Sequence, residues 1–383
     1  MTVYLDNNAT TMPAPEVREA MLPFLGDMYS NASSFHSFGT AVREAVEQAR
    51  SRVAALIRAR PEEVYFTSGG TESDNWAIKG AMARHGSGAL LVTSAVEHPA
   101  VLEIASASGS LGFESVLVPV DSGGNADIEA YRRALEREPA LVSMMMANNE
   151  TGVIFPVGEL ADLAHQAGAL FHTDAVQAVG KVPVDLEART GIDLLSISGH
   201  KLHAPKGIGA LFVRRGVDLE PFMHGGHQER GLRSGTYNSP GIVGLGMAAE
   251  LAASLPEEAH SRLLELRTRM EIGILERCPG SAIVARESDR LPNTLTAIFS
   301  GVESESTLMM LDMEGVCASS GSACSTGSKD PSHVLKAMGI GSNLSNSAIR
   351  FSLSRYTTAD EVDLALDVLE RAIAKLRRIS PYV

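Results

Sequence analysis

The sequence predicts an α/β protein whose core is a mostly parallel, seven-stranded sheet with helices packed on both faces. Short, continuously apolar runs alternate with helical patterns over most of residues 1–250. Such runs are typical of strands that are buried on both faces, and strands separated by helices favour parallel pairing. In sheets of this kind ligands bind beyond the carboxyl ends of the strands, so the residues that follow each run are the first candidates for a site.

The elements of this core follow one another in order. An amphipathic helix comes first, with apolar residues at spacings of three and four from Val42 to Leu56. Seven apolar runs then predict the strands, at residues 64–67, 90–93, 116–118, 141–145, 170–173, 194–197 and 210–213.

After about residue 255 the pattern changes, and a smaller α+β domain is predicted. Its elements are a helix over 263–274, strands at 294–299 and 349–353, and a final helix. Thr358 and Glu361 have the spacing of a capping box, which predicts where that last helix begins. We therefore predict a large domain at residues 15–255 and a small domain formed by residues 1–14 and 256–383.

Composition restricts the classes of function. The chain has 383 residues and a net charge of −13, which disfavours direct binding to nucleic acid or to an anionic membrane. Its 3 cysteines include no Cys-x-x-Cys pair, so a disulfide framework or a thiolate zinc site is not expected. No apolar run reaches membrane-spanning length, and the first residues lack the pattern of a signal peptide, so we expect a cytoplasmic protein.

Cys324 is the most informative single residue. It lies in the run SSGSACSTGS at residues 319–328, which has no large apolar side chain to bury a thiol. A structural cysteine is usually buried as a small hydrophobe, whereas this density of Gly and Ser favours a solvated loop that can move. We expect the thiol to be a nucleophile that such a loop carries to its partner.

The run TSGGTES at residues 67–73 follows a predicted strand and opens a predicted helix. Glycines followed by hydroxyls at a helix N-terminus form a phosphate-binding site. A plain N-cap by Thr71 or Ser73 is the alternative. The pattern of a nucleotide-binding P-loop is absent from the sequence.

Three further residues follow predicted strands. Asp174 ends the fifth run, where an acid either faces the ligand crevice or caps the next helix. Lys201 leaves the sixth strand toward the same crevice, where a lysine can form a Schiff base, although most lysines are solvated surface charges. His98 follows the second strand and is either an ordinary loop histidine or a ring that stacks on a flat cofactor.

A phosphate site, a Schiff-base lysine, an acid and a stacking histidine together describe a site for pyridoxal phosphate. With these residues in place, the chain resembles the cysteine desulfurases of the class V aminotransferase family, which are fold-type I pyridoxal-phosphate enzymes. The resemblance runs nearly end to end. It is carried by residues 4–11 (YLDNNATT), 66–75 (FTSGGTESDN), 148–152 (NNETG), 198–201 (SGHK), 226–230 (GHQER), 233–236 (RSGT), 319–324 (SSGSAC) and by Arg350.

The resemblance implies a role for each matching residue at the cofactor. Lys201 would hold the cofactor as a Schiff base and later move protons. Asp174 would pair with the pyridinium nitrogen, Gln177 would reach the ring hydroxyl, and His98 would stack on the ring and act as acid or base. The phosphate would be held by Gly70, Thr71, Ser198 and His200, with Thr236 arriving from the other subunit of a homodimer.

The resemblance also implies the substrate, L-cysteine. Asn149 would contact cofactor and substrate, and Arg350 would bind the substrate carboxylate, with a structural ion pair inside a strand as the alternative for Arg350. Cys324 would attack the substrate sulfur, which leaves a persulfide on Cys324 and releases L-alanine.

The Ser/Gly-rich loop is similar to that of the group I branch, which implies a sulfur-acceptor protein such as an iron–sulfur scaffold. Thiolated tRNA, other sulfur-containing cofactors and phosphorothioated DNA are alternative destinations of the sulfur. A selenocysteine lyase or an aminotransferase of the same fold is the nearest rival function. A non-catalytic sulfur carrier is a rival of another class, and it would have no use for Lys201.

Two features depart from this pattern or stand outside it. Cys317 stands where Ala or Val is expected in the family, and we predict a buried, inert thiol on the strand that enters the loop, with persulfide relay as the alternative. The histidine pairs at 200 and 203 and at 224 and 227 have no obvious third ligand, so no metal site is predicted.

Overall fold

The structure is a computed structural model that describes residues 2–320 and 331–380. The predictions for Cys324 and for most of its loop fall outside these residues. The strands are β1 (Val3–Tyr4), β2 (Val64–Thr67), β3 (Leu90–Ser94), β4 (Glu114–Val118), β5 (Leu141–Ser143), β6 (Leu170–Asp174), β7 (Leu194–Ser198), β8 (Gly209–Val213), β9 (Ser281–Ile283), β10 (Thr294–Phe299), β11 (Val316–Cys317), β12 (Ser319–Ser320) and β13 (Ala348–Ser352). The helices are α1 (Pro15–Leu25), α2 (Ser37–Leu56), α3 (Gly70–Met82), α4 (Pro99–Ser106), α5 (Ser108–Leu111), α6 (Ile128–Leu135), α7 (Val157–Gln166), α8 (Ser239–Ala253), α9 (Glu257–Arg277), α10 (Ser304–Met313), α11 (His333–Ala337), α12 (Ser342–Ser345) and α13 (Ala359–Ile379).

Seven of the described strands form the central sheet, in the order β2-β8-β7-β6-β5-β3-β4. The five strands from β7 to β4 pair in parallel, whereas β8 is antiparallel to both β7 and β2. The predicted mostly parallel, seven-stranded sheet is therefore confirmed, and each predicted strand overlaps an observed one. The strand ends at Ser143, before the end of the predicted run at 141–145. The amide of Met145 donates to the Glu97 carboxylate and not to a neighbouring strand.

Helices cover both faces of this sheet. Successive residues of β8 show the arrangement, since Leu211 and Phe212 are both buried but belong to different apolar clusters. Phe212 packs in the cluster that includes α2, α7 and α8, and Leu211 packs in the cluster of α3 and α4 around Trp76. Every residue of β5, β7 and β8 is buried, which explains why these strands read as continuous apolar runs.

A second, antiparallel sheet has the order β12-β13-β10-β9, and β1 pairs with β11 in a small parallel sheet. The predicted strands at 294–299 and 349–353 correspond to β10 and β13. The predicted capping box also forms, since Thr358 and Glu361 exchange side-chain-to-backbone hydrogen bonds at the start of α13. The boundaries of the two predicted domains remain a prediction.

Cys317 lies on β11, as predicted, but it is half-buried and not buried, since successive strand residues face opposite sides and Val316 is the one that faces the core. No helix among residues 2–320 and 331–380 combines the length and the apolar character needed to cross a membrane. The same residues contain no cluster of three His, Cys, Asp or Glu side chains suited to a metal ion.

Candidate active site

A cavity of about 240 Å³ opens where the central strands end. It brings together these predicted residues: Gly70, Thr71, His98, Asn149, Asp174, Gln177, Ser198, His200, Lys201 and Arg350. Asn8, Ala9, Asp74, Met145, Ala147 and Val176 complete the lining. Thr236 is exposed on its own chain and is not among the lining residues.

The first turn of α3 closes one end of the cavity. Its N-cap is Gly69, and no side chain caps the helix, so the alternative of a plain N-cap by Thr71 or Ser73 does not describe this turn. A Cβ atom on Gly70 would lie 2.8 Å from Val176 Cγ2, so only glycine fits there. The backbone amides and positive dipole end of this thirteen-residue helix are therefore available to an anion beside Ser198.

Lys201 lies in a short 3₁₀ turn that follows β7. Its Nζ donates to the backbone oxygens of Asn8, at 2.5 Å, and Ala9, at 2.6 Å. The segment that follows β1 therefore crosses the site and orients the amine toward the cavity. The motif at residues 4–11 contributed to the resemblance, but its pattern indicated no contact with Lys201.

Asp174 ends β6, but it caps no helix, because no helix lies in the fully described segment between β6 and β7. One carboxylate oxygen accepts from the Val176 amide at 2.8 Å, and the residue also lines the cavity. Burial raises the pKa of Asp174 to about 6, against the opposing effects of the Val176 amide and the Lys201 charge. Asp174 is therefore mainly ionised at neutral pH.

Asp74 is a buried acid near Asp174 that the sequence reasoning missed. Burial and the Asp174 charge raise the pKa of Asp74 well above its usual range. The Nε2 atom of His172 is 3.7 Å from Asp74 Oδ1, and burial lowers the pKa of that imidazole to about 3. The proton of this group of side chains therefore stays on Asp74, which lets Asp174 present a carboxylate to the cavity.

His98 precedes α4, and its Nδ1 accepts from the Ala100 amide at 3.1 Å. Burial lowers the pKa of His98 to about 4, and the charges of Lys201 and His333 act in the same direction. The imidazole is therefore neutral at pH 7 and carries its proton on Nε2. A neutral ring is suited to stacking on a flat cofactor.

Arg350, on β13, reaches the cavity from the second sheet. Its guanidinium is 2 % exposed and pairs with Asp6, while Nη1 donates to the Asn149 carbonyl at 3.1 Å. The alternative of a structural ion pair is therefore realised, although the same side chain also lines the cavity. The sequence offered no signal for Asp6, which lies 344 residues away along the chain.

Comparison with known proteins agrees with this geometry. The aminotransferase class-V model matches residues 3–365, and the chain belongs to this family. It is 53 % identical over 382 residues to a cysteine desulfurase of Gluconacetobacter diazotrophicus. This match covers 99 % of this chain and 95 % of the relative. It is 48 % identical over 381 residues to the cysteine desulfurase NifS of Azotobacter vinelandii, covering 99 % and 94 %.

Solved structures agree with the sequence relatives. A NifS-like protein superimposes with a TM-score of 0.92 at 38 % identity, over 98 % of this chain and 100 % of that one. The resemblance to class V aminotransferases and the predicted fold type I architecture are therefore confirmed.

Proposed function

We propose that the chain is a cysteine desulfurase that uses pyridoxal phosphate to convert L-cysteine into L-alanine and a persulfide on Cys324. The observation that carries this proposal is the convergence of Lys201, Asp174, His98 and Arg350 on one cavity, in a chain of this family. The reaction needs four groups: an amine, a buried carboxylate, a neutral imidazole and a guanidinium.

The lining residues fit the cofactor. The first turn of α3 would hold the phosphate together with Thr71, Ser198 and His200. Gly70 lies in this turn, where Val176 leaves no room for a side chain. Asp174 would pair with the ring nitrogen through its carboxylate, whose ionised form is favoured by the hydrogen bond from the Val176 amide.

The remaining contacts surround the ring. Lys201 would bind the aldehyde carbon, since its amine is held at the cavity by two carbonyl oxygens. His98 would cover the ring face, and Gln177 and Asn149 would contact its edge. When bound, pyridoxal phosphate supplies an electron sink for the substrate α-carbon.

The substrate is oriented by Arg350, whose forked donors suit the carboxylate of L-cysteine. When Lys201 is not bound to the cofactor, its Nζ atom would hold and transfer protons. The Nε2 atom of His98 would do the same. His98 is uncharged at pH 7, so its ring does not repel the ammonium group of L-cysteine.

Cys324 completes the reaction as a thiolate. Its sulfur bonds to the sulfur of L-cysteine while the carbon–sulfur bond of the substrate breaks, and the carbon takes up a proton to give L-alanine. A free thiol has a pKa of about 8.5, so proton loss from Cys324 has to precede attack.

We propose further that the enzyme is a cytoplasmic homodimer in which Thr236 of each chain reaches the phosphate of the other. Thr236 is exposed and is not among the residues that line the cavity of its own chain, which supports this arrangement. The persulfide would pass to an acceptor protein such as an iron–sulfur scaffold, as the group I-like loop implies.

Incubation with pyridoxal phosphate, L-cysteine and a thiol reductant tests the proposal, with L-alanine and sulfide as the readouts, because the reductant releases the outer sulfur of the Cys324 persulfide as sulfide. Cys324→Ser should keep the coloured cofactor and stop sulfide release. Cys278→Ser is the matched control, because burial raises the pKa of that thiol to about 11 and removes it from the chemistry. Retained sulfide release by Cys324→Ser would contradict the assigned nucleophile, and cofactor retention with alanine production by Lys201→Ala would contradict the cofactor.

A further inference from the structure

Lys181 is a lysine beside the proposed cofactor site that the reaction does not use. It borders a separate cavity of about 50 Å³, which it shares with Lys201. Its Nζ donates to Gln177 Oε1 at 2.7 Å and, more weakly, to Asn8 Oδ1 at 3.4 Å. Lys181 therefore contacts the cofactor site through Gln177, without lining the cavity itself.

The two partners of Gln177 decide which way its amide faces. An amine of lysine donates to Oε1 in either protonation state, whereas the backbone oxygen of Asn8 only accepts, and it accepts from Gln177 Nε2 at 3.0 Å. Reversing the amide would place its NH₂ group against the Lys181 donors and its oxygen against the Asn8 oxygen. The orientation is thus assigned by the network, and the second N–H of Gln177 remains for the cavity.

We propose that Lys181 is a positioning residue for the cofactor, because it holds Gln177 so that an N–H donor faces the ring oxygen of pyridoxal phosphate. This inference rests on the proposed function, in which Gln177 contacts that oxygen. Without Lys181, the Gln177 amide can turn and present its oxygen, in place of an N–H donor, to the ring oxygen of pyridoxal phosphate. Losing one hydrogen bond of this kind weakens cofactor binding by about tenfold.

Cofactor titration of four proteins tests the proposal: wild type, Lys181→Met, Gln177→Met and the double variant. The readouts are the dissociation constant of pyridoxal phosphate and the absorption maximum of the bound cofactor. Each single variant should bind about tenfold more weakly and shift the absorption maximum. The double variant should bind no more weakly than Gln177→Met, since both changes remove the same interaction.

Lys375→Met is the matched control, because Lys375 is an exposed lysine on α13 and should leave both readouts unchanged. Gln177→Glu gives an independent check if Lys181→Met does not fold. Its carboxylate keeps a partner for Lys181 but has no N–H, so it should reproduce the weaker binding and the shifted maximum.

The outcomes separate the two proposals. The role of Lys181 would be overturned if the wild type binds pyridoxal phosphate and Lys181→Met or Gln177→Glu has the wild-type dissociation constant and absorption maximum. Additive losses in the double variant would also overturn it, because Lys181 would then act independently of Gln177. A wild-type protein that binds no pyridoxal phosphate would overturn the proposed function and this inference with it.

Discussion

Arg350 donates from Nη2 to the Asp6 carboxylate at 2.8 Å, so an acid close to the start of the chain holds the guanidinium of the proposed substrate site. The Nε atom of Arg350 has no hydrogen-bond partner among residues 2–320 and 331–380. Asp6 thus fixes one side of the Arg350 guanidinium, and the guanidinium keeps further N–H donors for an incoming carboxylate.

Arg350→Lys should raise the KM for L-cysteine by about tenfold or more, because lysine offers a point charge in place of a planar fork. Steady-state kinetics with L-cysteine measures this effect, and the absorption maximum of the bound cofactor should not change. Arg371→Lys is the control, since the Arg371–Glu314 pair is exposed at 61 % and 58 %. An unchanged KM in Arg350→Lys would show that the carboxylate binds elsewhere.

His98 should be neutral throughout the physiological range, because burial lowers its pKa to about 4. Nitrogen NMR of labelled His98 should find Nε2 protonated, with no titration step between pH 5.5 and 8, a range set by that pKa. His98→Gln should lower turnover by about 10²–10⁴-fold if the ring transfers a proton. A titration step near pH 6.5, the usual pKa of histidine, would contradict the assigned burial effect.

Glu97→Gln should change how stability depends on pH. Burial raises the pKa of Glu97 from 4.5 to about 8, although Ser94 and the Met145 amide donate to it. Between these values unfolding releases a proton, so the free energy of unfolding falls as pH rises, by about 1.4 kcal/mol per pH unit for one proton. Glu97→Gln should remove this contribution.

Urea denaturation at several pH values between 5 and 8, inside the window set by Glu97, measures the difference in slope. Glu136→Gln, at an exposed position on the surface, should keep the wild-type slope. Parallel slopes for wild type and Glu97→Gln would mean that Glu97 titrates alike in the folded and unfolded chains.

Glu229→Gln should destabilise the protein by about 3 kcal/mol, because it removes the charge that pairs with buried Arg50. The two side chains are 2 % and 3 % exposed, and two hydrogen bonds of 2.8 Å join them. Thermal and chemical denaturation report the loss. Glu314→Gln removes one acid of an exposed pair and should cost less than about 1 kcal/mol. Equal stability of the two variants would contradict a structural role for Glu229.

The motif at 226–230 illustrates the limit of pattern reasoning. It supported the resemblance, but nothing in its spacing indicated that Glu229 pairs with Arg50 or accepts from the Phe66 amide at 2.9 Å. Glu229 and Arg230 both have positive φ values, so the local backbone follows tertiary contacts and not a regular element.

The sequence by itself determined the central sheet and the residues at its carboxyl edge. Asp174 and Lys201 could be assigned to one crevice because parallel strands bring their carboxyl ends to the same side, a rule that depends only on local periodicity and order. The tertiary structure alone decided which distant groups act on them. Asp74 keeps its proton beside Asp174, and Asn8 accepts from Lys201 across 193 positions of the chain. Such contacts depend on burial and on the approach of separate segments, neither of which a local pattern records.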